Sequence, residues 1–528
     1  MRNEKTSRRC FDRCRFRGET VSLDWNQRST LGRLARTCAG AAVALAIGVG
    51  ALAAPALAQK PDRPWAEDVL YFVLLDRFAD GDPSNNMDVD LKNPGAFQGG
   101  DIDGLIGRLD DLADLGITAI WINPVMLNIP DSVGSGRDFQ HFPHHGYWAD
   151  DFSRMDPRFG TDDDLKRLVD EAHRRGIKVL LDVVYNHAGY GSAYTRAPNA
   201  GQMLRLEERG TCGPEGDDIT GCVAGLPDFK TEKPEVARWL IEKQIPRAKA
   251  AGVDGYRLDT VKHVLPEFWE LHRRIVDEQL GEDFFLLAEY FGADLNVVDP
   301  FFEKGVWDSA LDFTFKGETE SWVLGRGRTI AYSRFLQKRH KVRPGHIMSH
   351  YLSSHDVPMA LGEVGGDVAK FRLMAALQMA SLGMPQIYYG EEVARPGHDW
   401  PENRTPMPWG KMDILPGKGM ARDEGLRDFY KRIIAARKAN PAFAHGDYTE
   451  LSTAGDLLVF QRAHAGSGNT VIVAANRGAT DASATVPLPA AWAGKTVTDA
   501  ITGKALGKAG ADLALTVPGL TAQYLVAN

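Results

Sequence analysis

A closed parallel (β/α)8 TIM barrel, carrying an inserted subdomain and followed by a C-terminal antiparallel β domain, is the α/β fold that this sequence predicts. Three observations predict it. After residue 65 one unit recurs: an amphipathic helix, a glycine stop, then a short run that is apolar on both faces. Eight such runs precede residue 440, and beyond it the texture changes to short apolar stretches with turn residues between them. A strand without polar alternation is one buried on both faces, and eight β-α units over about 370 residues suit a closed barrel with insertions. An open doubly wound sheet is the alternative, but no Gly-rich phosphate turn follows the first run.

The apolar runs are 69–75, 118–122, 178–184, 253–258, 284–288, 309–313, 347–352 and 384–389. Pro385 lies near the start of the last, where a missing N–H is tolerated. Ahead of the second run, Leu105, Leu109 and Leu112 keep helical spacing up to Gly116. Ahead of the third, Thr161 reads as an N-cap, Leu165, Leu168, Val169 and Ala172 form the apolar stripe, and Gly176 ends the helix. Ahead of the fourth, a helix opens at Pro234, continues through Val236, Leu240 and Ile241, and stops at Gly252. The catalytic barrel is thereby assigned to 59–187 and 233–439, and a small β-sandwich domain to 440–528.

One connection is too long for an ordinary loop: roughly 45 residues separate His187 from the helix at Pro234, which marks a functional loop or a subdomain over 188–232. It holds Cys212 and Cys222, ten apart. In an oxidising compartment the two are expected to form a disulfide; a metal site is the rival, but two thiols without a nearby His make a poor zinc set.

Residues 1–58 read as an export signal. Arg28, Arg33 and Arg36 supply the basic stretch, 39–54 the Ala/Gly/Val/Leu/Ile run, and Ala56-Leu57-Ala58 the small-residue cleavage site, so the mature chain is expected to begin near Gln59. A membrane anchor is the competing reading, but the run is shorter than the roughly 20 residues that a spanning helix needs. Export implies a periplasmic or extracellular protein with no membrane contact after cleavage. The remaining composition is that of an ordinary globular chain: 528 residues, 44% hydrophobic and 25% charged, with a formal net charge of −8. Because basic residues outnumber acidic ones in the first 58, the chain beyond them is more acidic still, and a nucleic-acid partner is excluded for lack of a basic excess.

In a barrel of this kind, working residues stand at the C-terminal ends of the strands. Polar residues gather there. The third strand ends in Asp182 and runs on to Asn186 and His187; the fourth brings Arg257, Asp259, Lys262 and His263; the fifth brings Glu289; the seventh brings His355 and Asp356. Any one of them could be a strand-end cap or a salt bridge. Several buried carboxylates together are costly unless paired, hydrogen-bonded or used, and carboxylates of unequal environment are what retaining glycoside hydrolysis requires. Earlier in the chain, Asp80, Asp82, Asn85 and Asn86 cluster oxygen ligands at a spacing suited to Ca²⁺, with Asp101 as a further ligand.

The segments 182–187, 255–263, 288–289 and 354–356 resemble the four ordered signature regions of the α-amylase family, glycoside hydrolase family 13. Supporting stretches at 145–148, 226–228 and 383–385 are similar to that family too, and the likeness runs from about Trp65 to the end. The resemblance implies that Asp259 is the nucleophile, Glu289 the general acid/base and Asp356 the transition-state stabiliser. It implies further that His187, His355 and Tyr147 contact the sugar that is cleaved, that Arg257 orients Asp259, and that Lys262 and His263 line the acceptor side. The 80–86 loop resembles the calcium loop near the start of cyclodextrin glucanotransferases, and a second family site would use Asn186, Asp228 and the carbonyl of His263. The expected function is retaining, endo-acting hydrolysis of α-1,4 bonds in starch or maltooligosaccharides. A glucanotransferase or a cyclomaltodextrinase/neopullulanase-type enzyme is the alternative within the family. The latter usually carries an extra N-terminal domain, whereas here the barrel starts soon after the export segment. A catalytically inactive glycan-binding relative is the remote one, since such chains typically lose the carboxylates that this sequence keeps.

Overall fold

The computed structural model describes residues 59–527; the export segment read in 1–58 lies outside the described residues. Eight parallel strands close a barrel in chain order: β1 (Leu70–Val73), β2 (Ala119–Ile122), β3 (Lys178–Val183), β4 (Gly255–Leu258), β5 (Phe285–Ala288), β6 (Ser309–Asp312), β7 (Ile347–Tyr351) and β8 (Met384–Tyr388). Closure is made by β1, where Leu70 faces Ala119 of β2 on one side and Gln386 of β8 on the other. Apart from Ile347, every residue of these strands is buried, which is why the runs show no polar alternation. Most of the polar residues within the strands are partnered, and Lys178 is an example. It ion-pairs with buried Asp68 at 2.9 Å and lies over the Trp65 ring, so its charge is met at the bottom of the barrel.

The helix signals act as the sequence predicts at 161–176, where Thr161 and Asp164 form a reciprocal capping box. Gly116 and Gly252 end their helices with φ of +100° and +74°, a left-handed conformation that costs glycine nothing. One expectation is corrected in detail. The stripe from Leu105 to Leu112 belongs to two short helices, Ile102–Ile106 and Leu109–Leu115, because Gly107 and Arg108 turn the backbone between them.

Two insertions shape the C-terminal mouth of the barrel. After β2, the strands Met126–Asn128 and Ala149–Met155 pair, and between them stands the hairpin Val133–Arg137/Phe139–His141. Sequence analysis passes over this insertion because the hairpin strands are polar, short and Gly-containing. After β3, the 188–232 segment forms two single-turn helices and the two-residue ladder Leu204–Arg205/Asp228–Phe229. Cys212 and Cys222 form a disulfide there, with Cα atoms 5.5 Å apart.

Beyond the barrel come β9 (Asp447–Ser452), β10 (Leu457–His464), β11 (Asn469–Asn476), β12 (Ala482–Pro487), β13 (Thr496–Asp499), β14 (Ala505–Lys508), β15 (Asp512–Val517) and β16 (Thr521–Ala527). Six of them form an antiparallel sheet ordered β9-β10-β11-β16-β13-β14, and β12 pairs with β15. Val459, Ile472, Val486, Trp492, Leu515 and Leu525 fill a core of their own between the two layers. The other face packs on the barrel, where Arg462 donates to the Ala380 carbonyl at 2.8 Å and Tyr524 to that of Ala376. Among the described residues, no helix is long and apolar enough to cross a membrane.

Candidate active site

The parallel ladder continues for one residue past β4 and β5: Asp259 N–H donates to Val183 and Glu289 N–H to Leu258. Both carboxylates therefore leave the barrel just beyond its rim. Arg257, two residues before Asp259 and on the same face of β4, lies fully buried beneath them. Its Nη1 donates to Asp259 Oδ1 at 2.6 Å and to both oxygens of Asp182 at 3.1 Å, while Nη2 is 3.4 Å from Glu289 Oε2. One guanidinium thus holds three carboxylates. Its flat face rests over Trp121 at 4.8 Å, which suits a weakly hydrated planar cation.

Asp182 is the hub of the floor. It accepts from Trp121 Nε1 at 3.0 Å and from Tyr147 Oη at 2.7 Å besides Arg257. Sequence reasoning places Asp182 at the strand end but does not give it this role, and nothing in the sequence marks Trp121 as its partner. Tyr147 in turn lies parallel to His355, with ring centroids 5.2 Å apart. His355 Nε2 is 3.1 Å from Asp356 Oδ2, and Arg404, from the loop after β8, reaches Asp356 Oδ1 at 3.4 Å and the His355 carbonyl at 3.0 Å. Arg404 is a site residue that sequence reasoning misses, because it lies outside the motif segments and reaches Asp356 across 48 residues of chain.

These groups border a cavity of about 420 Å³ lined by Tyr147, His187, Asp259, Glu289, His355 and Asp356, with Lys262 and His263 at its edge. All three candidate catalytic carboxylates and five of the six candidate substrate-binding residues meet there; the sixth, Arg257, lies under the floor. A cavity of about 500 Å³ at the opposite end of the barrel, beside Trp65, His346 and His445, is larger but holds none of them. Thr260, between Asp259 and the turn Val261–His263, adopts a left-handed backbone with φ of +47°. For a β-branched residue that is strained. It aims the Thr260 N–H at Glu289 Oε2, 2.8 Å away, and its hydroxyl at Asp259 Oδ2, 3.0 Å away.

The electrostatics differ from group to group. Burial pushes Glu289 up to about 8; Arg257 pulls against the shift, and the neighbouring charges of Asp259 and Asp356 add to it. Burial likewise raises Asp182 to about 7 against the pull of Arg257. Asp356 is raised by its protein surroundings, with Arg404 and Arg257 opposing, although its side chain is 36% exposed to the cavity. His145 and His355 lie well below the usual imidazole range, and His187 is lowered too, all by burial. They are neutral imidazoles, and His187 Nε2 and His355 Nδ1 have no partner in the chain.

The candidate metal ligands separate into two sets. In the 80–101 loop, Asp101 is the organiser: its oxygens accept from Gly81, Asp82 and Gly104 N–H and from Asn85 Nδ2. Asp82 caps Ser84 at the surface. Three buried oxygens are left without a partner, Asp80 Oδ1, Asn85 Oδ1 and Asn86 Oδ1. An all-oxygen set with orphaned acceptors is chemistry that fits a hard cation such as Ca²⁺. The second set also converges, since the Asn186 amide lies 2.9 Å from the His263 carbonyl and 3.2 Å from Asp228 Oδ1. As placed, the Asn186 side-chain oxygen faces both of those oxygens with no donor between them, an arrangement that a cation would resolve; with its NH₂ turned inward Asn186 would instead donate to both, and Arg205 donates to Asp228 Oδ2 at 2.8 Å. Among the described residues, no three His, Cys, Asp or Glu side chains converge as a metal site.

Comparison with known proteins is consistent with the geometry. Residues 72–203 and 219–446 match the family model described as alpha amylase, catalytic domain. A neopullulanase 2 from Thermoactinomyces vulgaris is 31% identical over 407 residues, covering 72% of this chain and 65% of that protein's own length. A cyclomaltodextrinase from Geobacillus thermopakistaniensis is 28% identical, covering 88% of this chain and 77% of the relative. Among solved structures, an Anoxybacillus alpha-amylase superimposes with a TM-score of 0.78 at 28% identity, covering 88% of this chain and 99% of its own.

Proposed function

The chain belongs to the α-amylase family, and from that premise we propose that it is a retaining glycoside hydrolase that cleaves α-1,4 bonds within starch or maltooligosaccharides. The observation that carries this reading is the pair Asp259 and Glu289 on one buried guanidinium, 2.6 and 3.4 Å from its nitrogens. Sharing Arg257 keeps the two carboxyl groups close, and the retaining reaction needs them about 5 Å apart across the sugar, whereas inversion needs room for a water between them.

In the first half of the reaction Asp259 attacks the anomeric carbon as a carboxylate, held by Arg257 and by the Thr260 hydroxyl. Glu289, neutral below about pH 8, gives its proton to the departing glycosidic oxygen. A glycosyl ester on Asp259 and a Glu289 carboxylate result. In the second half Glu289 takes a proton from water, whose oxygen attacks the same carbon and frees Asp259. Asp356, steered by His355 and Arg404, accepts hydrogen bonds from sugar hydroxyls that strengthen as the ring flattens, and His187 and His355 border the same cavity. Ca²⁺ held by Asp80, Asn85 and Asn86 would brace the loop above the barrel and take no part in the chemistry. Export to the periplasm or outside the cell accords with the disulfide.

The relatives named neopullulanase and cyclomaltodextrinase support a second reading, hydrolysis of cyclic or branched α-glucans at the same site. A product time course on soluble starch, maltoheptaose and a cyclodextrin separates the readings. Mixed short α-anomeric products from starch are expected. Preferential opening of the cyclodextrin would favour the second reading, products longer than maltoheptaose a transferase, and β-anomeric products would refute retention. For the metal, exhaustive chelation is expected to lower the melting temperature and re-addition of Ca²⁺ to restore it, since a ligand at 100 times its Kd stabilises by about 2.7 kcal/mol. An unchanged melt after complete metal removal would dismiss calcium binding at Asp80, Asn85 and Asn86.

A further inference from the structure

The inserted 188–232 segment does more than border the cavity, because its disulfide-closed loop touches the two residues at the cavity's edge. Asp218 sits at the tip of that loop. Its Oδ1 is 3.0 Å from Lys262 Nζ, and its backbone carbonyl is 2.9 Å from His263 Nδ1. A carbonyl can only accept, so His263 Nδ1 carries the proton that faces it, and the ring is fixed in that orientation. Lys262 spends one donor on Asp218 and keeps two. Through one residue, two side chains at the cavity's edge are therefore held at set positions.

The loop is built to hold that tip still. Besides the Cys212–Cys222 bond, Gly213 N–H donates to the Thr220 carbonyl at 2.7 Å, and Asp217 Oδ1 accepts from Ile219 and Thr220 N–H. A Cβ on Gly213 would fall 1.8 Å from Thr220 Oγ1, so the crossing is as tight as glycine allows. On the other side of the disulfide, Val223 and Leu226 line the cavity itself, and Tyr190 fixes that turn by donating to the Ala224 carbonyl at 2.7 Å. The turn Val261–His263 is fastened at its start to the acid, through Val261 N–H on the Glu289 carbonyl and Thr260 N–H on its carboxylate. Lys262 and His263 thus stand on the side from which the leaving sugar departs.

Resting on the glycosidase reading above, we propose that Asp218 is a positioning residue: carried on the stapled loop, it sets Lys262 and His263 for the sugars on the leaving-group side of the cleaved bond, and so governs how that side binds. It does not touch the reacting atoms, and its carboxylate is 47% exposed, so its effect is modest and selective. A half-exposed ion pair contributes about threefold to fivefold rather than orders of magnitude.

The test compares two substrates: maltoheptaose, which fills both sides of the cleavage point, and α-maltotriosyl fluoride, whose leaving group occupies no sugar site. Asp218→Ala is expected to lower kcat/KM on maltoheptaose by about threefold to fivefold, chiefly through KM, and on the fluoride by less than about twofold, with an unchanged melting temperature. The paired change Cys212→Ser/Cys222→Ser releases the carbonyl as well as the carboxylate, and is expected to lower the maltoheptaose value at least as much. Equal losses on both substrates, or none on either, would overturn the role of Asp218 and leave the glycosidase reading standing. Failure of the unmutated protein to turn over either substrate would remove both.

Discussion

Asp259→Asn is expected to bring turnover of every α-glucan to background, a loss on the order of 10⁴-fold or more, as when a covalent nucleophile is deleted from an enzyme that depends on one. An amide oxygen cannot form the glycosyl ester, and no neighbour can replace it. Asp182 is tied into the floor by Trp121, Tyr147 and Arg257, and Asp356 is engaged by Arg404 and His355. The fold survives the change, since Asp182 still faces the guanidinium of Arg257 at 3.1 Å. The loss extends to glycosyl fluorides, whose good leaving group does nothing to supply a nucleophile. Mass spectrometry after incubation with a slow fluorinated α-glucoside completes the test: the unmutated chain is expected to carry the sugar on the peptide that contains Asp259. Label on another carboxylate, or substantial activity in the Asn variant, would overturn the assignment.

Glu289→Gln is the second large effect, about 10²- to 10⁴-fold in kcat/KM on natural glucans, the usual worth of a positioned acid/base. It differs from the first in kind. Fluoride needs no protonation to leave, so the glycosylation half of the reaction on a glycosyl fluoride is spared and the second half stalls, giving a burst of fluoride without matching turnover. The pH profile carries the same information. As the proposed acid, Glu289 acts in its protonated form, and its pKa is raised to about 8, so kcat/KM of the unmutated protein is expected to fall on the alkaline side near pH 8, and the Gln variant to lack that limb.

Stability is expected to move the opposite way. Unfolded, a glutamate ionises near its ordinary value of 4.5; folded, Glu289 keeps its proton to about 8. Between those values the unfolded chain has released a proton that the folded chain still holds, so this group's contribution to stability falls as pH rises through the window. The Gln variant has no such penalty. Its melting temperature is expected to exceed that of the unmutated protein by a margin that opens above pH 4.5 and is complete above pH 8. A margin independent of pH would show that Glu289 does not titrate there.

Much of this molecule was legible in the order of its residues. The eight apolar runs are the eight barrel strands, because a strand covered on both faces leaves no position for a polar residue except where a partner waits, as Asp68 does for Lys178. Helix ends were legible at Thr161, Gly116 and Gly252, where the determining interactions span a few residues. The helix break at Gly107 was not, since the apolar stripe runs through it unchanged. Nor was the hairpin Val133–Arg137/Phe139–His141, whose short polar strands carry no periodic signal.

The site divides along the same line. Residue order along strands and motifs determined that Arg257 shares a face with Asp259 and that Glu289, His355 and Asp356 follow strands whose ends gather at one mouth. Only the tertiary structure decided who holds whom: Asp182 under Arg257 and Tyr147, Arg404 on Asp356, Asp218 on Lys262 and His263, and which buried oxygens of the 80–86 loop are left without a partner. The reason is the range of the forces concerned. Burial and backbone periodicity act on each segment separately and leave their mark in local composition, whereas a hydrogen bond or an ion pair between side chains tens of residues apart exists only once the barrel has closed and brought them within about 3 Å.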